Sequence, residues 1–465
     1  MPQSPPVAGM GRRALLHALG AAGATGLAAL VGCTDRSGSG SPTPTPAPTN
    51  PPSESPTDPP GSPSGTPPEG APGGEAVRWA VPLGGPVQHP PTLGNGSLYV
   101  AGGANDRGTP PHDDPVGPDE SQSLVALDAA DGTERWRYES QAAMQSAPVV
   151  ADGDPHVVTG WSNGYTGVDT RVVRVDGGDR VWTTASRSRF LSILGHADGT
   201  VFVGTHDDAI GVSGESLFAV GPDGDTHWSR DAGDALDGTV HDGTLYVDYG
   251  DRRLVAFDTA DGSERWGTDL GTPGPLAVYG DTVYLDRQQE TADGHYPVVA
   301  ADAATGEERW SYAADVHRFV ATGVVEADGT VYVTEYDGSL FALDAADGTE
   351  LWRYTAASEA SEVPSVHDGT VYLPGGGDLH AVDAATGEAR WRESVAGHVW
   401  SVSPSDAGVV VRGRAAGGRS TLAGLAPDGT ERWRHTFETD PSLPAVDGLR
   451  VYVGTKSEYA VALGP

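Results

Sequence analysis

The sequence predicts an all-β fold: a closed β-propeller of four-stranded blades, nine by repeat count with eight as the alternative, whose N- and C-terminal strands share one blade. Three observations carry this. A phrase typified by LFALDAADGTELW, residues 340–352, returns along the chain with a period of about 42 residues. Most periods also hold an Asp-Gly or Asn-Gly pair followed by β-branched and aromatic residues, the mark of a tight hairpin. The Leu-Phe-Ala-Leu strand is apolar at successive positions rather than alternating, so both of its faces must be covered.

The first 33 residues read as an export signal. Arg12 and Arg13 precede an apolar run that is rich in small residues and interrupted by His17, which makes a poor transmembrane span. The run ends in Leu30-Val31-Gly32-Cys33, which resembles the lipobox of secreted lipoproteins, where the cysteine thiol is alkylated by diacylglycerol and the signal is cut just before it. The arginine pair resembles a twin-arginine signal, which exports folded proteins. Here Gly11 stands where Ser or Thr is usual, and Leu15 where Phe is usual. Cys33 is the single cysteine, so a lipidated mature chain has no disulfide and owes its stability to packing.

Residues 34–75 are almost wholly Ser, Pro, Thr and Gly. Such a segment buries too little apolar surface to offset its chain entropy, and its prolines keep it extended: a disordered, semi-stiff stalk. The propeller is expected over 76–465.

The chain carries 64 acidic and 29 basic residues, a formal net charge of −35, and its one lysine is Lys456. That field repels nucleic acid phosphates and anionic lipid heads, so neither is an expected partner. The acids are spread along the chain rather than clustered, as in a halophile's solubility coat; at about 1 M salt a Debye length of about 3 Å screens the self-repulsion.

Each repeat ends in a tryptophan: Trp136, Trp182, Trp228, Trp266, Trp310, Trp352, Trp391 and Trp433. The hairpin pairs are Asn95-Gly96, Asp198-Gly199, Asp242-Gly243, Asp328-Gly329 and Asp368-Gly369. One strand before the hairpin, one after it, the apolar strand and the tryptophan strand make four, which with their turns fill about 42 residues. Val77-Arg78-Trp79-Ala80-Val81 reads as a tryptophan strand with nothing before it. The C-terminal LRVYVGTKSEYAVALGP offers the other strands with no tryptophan after them. Joined, they close the ring, and Trp79 becomes the remaining seam residue. Stacking around an axis shelters both faces of every sheet; truncating a seam tryptophan should cost roughly 3–5 kcal/mol.

These phrases resemble the pyrroloquinoline-quinone (PQQ) repeat, and the resemblance covers residues 77 to 465. In that family the tryptophans dock one blade on the next, which implies that role for Trp79 and the eight residues above. One branch holds quinone and calcium and oxidises alcohols or sugars; its alcohol-oxidising members often stack a vicinal disulfide on the quinone, which this chain lacks. The other branch is non-catalytic and includes a lipoprotein scaffold of the bacterial outer-membrane assembly machine. A lipobox, a stalk and a bare propeller resemble the second branch. The outer-membrane role itself is not carried over, because the composition suggests a halophilic archaeon.

Candidate sites are few. The Asp-x-x-Asp-Gly turns, such as 128–132, lack the alternating oxygen ligands and closing Glu of a calcium loop and read as structural. The long first insertion, 102–122, concentrates Asp106, His112, Asp113, Asp114, Asp119 and Glu120, which reads as a solvated acidic loop with metal binding as the rival. The residues that open each innermost strand include Gln88, His89, Gln145, Arg189, Asp237, His317, Arg318, Glu362 and His398. In a closed ring these meet near one channel mouth, the default ligand site of such a fold, though a wet channel wall needs the same residue types.

The sequence therefore predicts a non-catalytic, lipid-anchored extracytoplasmic propeller that binds or scaffolds proteins at the cell surface as a monomer, without a metal or cofactor. The alternative is a dehydrogenase of alcohols or sugars using PQQ and calcium. A glycan-binding reading rests on Trp161 and Trp400 alone.

Overall fold

The computed structural model describes residues 76–87, 89–102, 122–140, 142–162, 168–185, 190–206, 216–231, 235–249, 253–268, 277–286, 297–313, 324–335, 337–356, 362–415 and 417–465. They form nine antiparallel sheets. Eight follow one another along the chain as blades 1 to 8: 92–140, 143–183, 190–230, 235–268, 277–312, 324–355, 365–394 and 398–436. In blade 6 the strands are Val324–Ala327, Thr330–Thr334, Ser339–Asp344 and Glu350–Thr355, each paired with the next. Blade 2 departs from the pattern, its first strand being split into Ala143–Met144 and Val149–Ala151, both paired with Asp154–Ser162. Blade 9 is composite: Val77–Pro82 pairs with Tyr459–Leu463, which continues to Arg450–Gly454 and Ala445–Asp447. The count is nine, and the eight-bladed alternative falls away. The export signal and stalk lie outside the described residues.

The turns explain why these residues form hairpins. Asn95, Asp152, Asp198, Asp242, Asp328 and Asp368 all have positive φ, and each is followed by a glycine with positive φ. That pair of left-handed residues is what a two-residue hairpin matched to strand twist requires. The turn before each tryptophan strand is built differently. In blade 1 the Asp128 carboxylate accepts from the Ala130 amide at 2.8 Å and pairs with Arg135 at 2.7 Å, while the Gly132 amide donates to the Asp128 carbonyl.

The second and third strands of blade 6 are buried almost throughout. Their apolar side chains serve the seams between blades rather than a core within one. Tyr284, Val298, Ala300 and Trp310 of blade 5 pack on Val324, Val331, Val333, Phe341 and Leu343 of blade 6. Among the described residues there are nine such clusters, each spanning two neighbouring blades and each holding one of the nine tryptophans. One of them joins Trp79, Val81, Tyr452 and Ala462 of blade 9 to Leu98, Val100, Val125 and Leu127 of blade 1. Packing thus carries the ring round to its start, and the Tyr452 hydroxyl adds a hydrogen bond to the Ala129 carbonyl at 3.0 Å.

Six seams share one docking geometry. The Nε1 groups of Trp182, Trp228, Trp266, Trp310, Trp352 and Trp391 donate at 2.9–3.0 Å to carbonyls of the next blade, those of Pro222, Thr259, Ala303, Ala345, Ala384 and Pro427. The ring then lies on the turn glycine of that blade. At Gly306, φ is +71° and an added Cβ would stand 2.6 Å from Cε3 of Trp266. Glycine is therefore required there twice, for backbone conformation and for clearance.

Candidate channel-mouth site

In a four-stranded meander, the connection entering the first strand and the turn between the second and third strands lie at the same end. The first strands line the axis, so those segments surround one mouth of the channel. This end gathers the irregular connections, while the Asx-Gly hairpins and the tryptophan turns occupy the other.

The sequence-predicted mouth residues have different fates. His89 sets its Nε2 at 2.9 Å from the Met144 carbonyl, a tie between blades 1 and 2, and burial pushes its pKa down. Gln145 donates its Nε2 to the Gly160 carbonyl at 3.2 Å, within blade 2. Asp237 accepts from the Gly238 amide at 2.8 Å and stands opposite Asp248 in register; burial pushes its carboxyl up. The Glu362 carbonyl accepts from the Thr334 hydroxyl at 3.3 Å, joining blades 6 and 7. His398 opens the first strand of blade 8 opposite Arg414. Gln88, Arg189, His317 and Arg318 lie outside the described residues, as do nearly all of the first insertion and the side chain of Trp161.

Two features of this end were not singled out from the sequence. One is Glu335, which follows the second strand of blade 6 and is 1% exposed. Its Oε1 has no partner among the described residues, and burial pushes the carboxyl up to about 7, with Asp337 adding to the rise and Arg353 opposing it. The other is an aromatic–cation cluster in blade 8. Trp400 is the extra residue where the register shifts between Val399 and Ser401. The Arg412 and Arg414 guanidinium carbons lie 4.7 and 5.1 Å from its ring centroid. A signal was present in the sequence: GVVVRGR, 408–414, sets two arginines at alternate positions in a strand otherwise expected to be apolar.

Arg412 shares its face of the strand with Val410, which packs toward blade 9. The neighbouring acids are already engaged. Asp440 lies 3.8 Å from Arg414 and accepts a short hydrogen bond from the Ser420 hydroxyl. Among the described residues no three His, Cys, Asp or Glu side chains come close enough together to hold a metal ion. The mouth groups described also do not fit a stacked planar quinone, because guanidinium groups cover the indole of Trp400.

The family model described as outer membrane protein assembly factor BamB matches residues 71–176, 120–233, 213–320 and 274–416. The chain is 25% identical over 269 residues to outer membrane protein assembly factor BamB of Shewanella oneidensis, covering 55% of this chain and 65% of that one. It is 32% identical over 134 residues to the serine/threonine-protein kinase AfsK of Streptomyces griseus, covering 27% of this chain and 16% of the kinase. The matched part thus falls short of two thirds of either relative. Among solved structures, the computationally designed protein Ika8 superposes with a TM-score of 0.50 at 13% identity, covering 84% of this chain and all of that one, a likeness of fold alone. The seams, the repeats and the family match agree: this chain belongs to the PQQ-like repeat family described as outer membrane protein assembly factor BamB.

Proposed function

We propose that this chain is a non-catalytic scaffold propeller, anchored through Cys33 to the outer face of the cell membrane, held off it by the stalk, and binding a protein partner through the connections at its channel mouth. The observation that carries the reading is Trp400. The described indole at this mouth has the Arg412 and Arg414 guanidinium groups against its ring, where a planar quinone would have to lie in order to stack on it. The family match supports it, since the relative it describes is named as an assembly factor. The outer edges of the blades favour a monomer: tryptophan strands such as Glu134–Ser140 set Glu134, Arg135 and Arg137 on an exposed edge, and charges there discourage edge-to-edge pairing.

Two experiments test the reading. Full-length chain is isolated from membranes, crosslinked and analysed for a stoichiometric cell-surface partner. In parallel the purified chain is given PQQ and calcium and assayed for dye reduction with alcohols and sugars. A specific partner without turnover supports the scaffold; robust turnover overturns it in favour of a quinoprotein dehydrogenase. Anchoring is tested separately by Cys33→Ala, which should move the exported chain from the membrane fraction to the medium.

A further inference from the structure

Arg412 is a partly buried charge without a partner among the described residues. Its Nε is wholly shielded from solvent, and none of its nitrogens meets a hydrogen-bond or ion-pair partner among those residues. Burying a cation is costly unless it is paired, and native proteins almost always pair it. The nearest acids do not supply the pair: Asp440 is taken up by Arg414 and Ser420, and Glu362 acts on Arg412 only through space. What holds the guanidinium is the Trp400 ring, a cation–π contact that fixes the planar group and so pre-orients its terminal nitrogens. The residue as a whole stays partly exposed. Arg414 stands beside it over the same ring; across the strand pair Ser401 is the register partner of Arg412 and His398 that of Arg414.

We propose that Arg412, with Trp400 and Arg414, forms a site for a singly charged carboxylate at the mouth end of the seam between blades 8 and 9. A guanidinium fork matches a carboxylate at two points. The adjacent Asp440 and Glu362 would repel a phosphate or sulfate dianion more strongly than a monoanion. The site goes beyond the scaffold reading and does not depend on it, since a propeller of either function could carry it.

The test is calorimetric titration of the full chain with acetate, butyrate and a short end-capped peptide holding one aspartate, in NaCl near 1 M, where a Debye length of about 3 Å screens the chain's own field. Phosphate serves as the control anion. Saturable binding of a carboxylate, weakened at least tenfold by Arg412→Met and severalfold by Arg412→Lys, supports the site. Tighter binding of butyrate assigns a free organic acid as the occupant; tighter binding of the peptide assigns an acidic partner side chain. Arg412→Met should melt no lower than the parent without ligand, and should lose the rise in Tm that carboxylate gives the parent. The proposal is overturned if no carboxylate saturates the parent chain, if phosphate binds as well as acetate, or if Arg412→Lys binds undiminished. The lysine variant keeps the charge and lacks the fork, so it decides the matter even if the methionine variant does not fold.

Discussion

Trp433 lies across Gly424: a Cβ added to that glycine would stand 2.1 Å from the indole Nε1. In blades 1, 3, 4, 5, 6 and 7 the residue paired with the tryptophan is an alanine: Ala126, Ala219, Ala256, Ala300, Ala342 or Ala381. In six seams the indole reaches a carbonyl in the next blade's tryptophan turn, but the Trp433 Nε1 is buried without an acceptor. The cause is topological. Blade 9 takes its third strand, Tyr459–Leu463, from the C-terminal end of the chain and its fourth, Val77–Pro82, from the N-terminal end. No covalent turn joins them, so the usual seat for the incoming indole is missing. Trp433 instead packs with Ala76, Phe437, Leu449 and Val451.

Gly424→Ala should therefore be destabilising, although alanine is the residue found at this position in most other blades. Overpacking of this kind costs about 1–3 kcal/mol. Denaturant melting of the variant, compared with the parent, measures it; an unchanged midpoint would show that the indole has room to move aside.

The regular and irregular seams should differ in what their tryptophans contribute. Trp266→Ala removes a buried ring and its bond to the Ala303 carbonyl, for an expected loss of roughly 3–5 kcal/mol. Trp433→Ala removes a similar ring with no hydrogen bond, and should cost less by about 1 kcal/mol. Trp266→Phe removes the bond but keeps an aromatic ring, with an expected loss smaller than either, on the order of 1–2 kcal/mol. Equal losses at both seams would contradict the docking geometry.

Two turn glycines separate backbone strain from seam clearance. Gly306 and Gly329 have φ of +71° and +76°, but an added Cβ meets the Trp266 ring at Gly306 and nothing within 4 Å at Gly329. Gly329→Ala should cost only the strain of a left-handed residue, about 1–2 kcal/mol. Gly306→Ala should cost distinctly more, and its tryptophan fluorescence should shift as the indole is displaced. Equal Tm losses would mean that the glycine's clearance is not needed.

Glu335 gives the fold a pH dependence of definite sign. Its carboxyl is pushed up to about 7 in the folded chain, against 4.5 ordinarily. Below about 4.5 it is protonated whether folded or not, and carries no penalty. As pH rises from there, the unfolded chain releases the proton first, so stability falls until about pH 7 and then levels off. Glu335→Gln should flatten this part of the stability profile and raise stability at pH 8, by on the order of 1–3 kcal/mol. Asp281 and Asp383, lowered to about 2 by Arg309 and Arg390 respectively, act in a separate window, losing their contribution as pH falls from about 4 to about 2. An unchanged profile in the glutamine variant would remove Glu335 from the account.

Much of the fold was legible because its signals are local and repeated. Asn95-Gly96 and its counterparts carry their own turn chemistry, and Leu340-Phe341-Ala342-Leu343 announces by being apolar throughout that it needs cover on both sides. Val77 to Val81 and the C-terminal strands were recognisable as two parts of one blade because each lacked what the other had. The mouth was less legible. His89 and Gln145 looked free in the sequence, yet the structure ties them to the Met144 and Gly160 carbonyls. Arg412 and Glu335 were passed over: GVVVRGR marks arginines in an otherwise apolar strand, but nothing adjacent in the chain shows that a side chain will lack a partner.

The sequence by itself determined the ring's repeat length, the strands that close it and the tryptophan at each seam, and left nine blades against eight for the structure to decide. These follow from period, turn chemistry and apolar pattern, all written within a single repeat. Only the tertiary structure decided which polar groups are engaged and which are left over. The partners of Arg412, Trp433 and Glu335 would have to come from neighbouring blades or from outside the chain, and whether a group is paired depends on where those distant segments arrive in space.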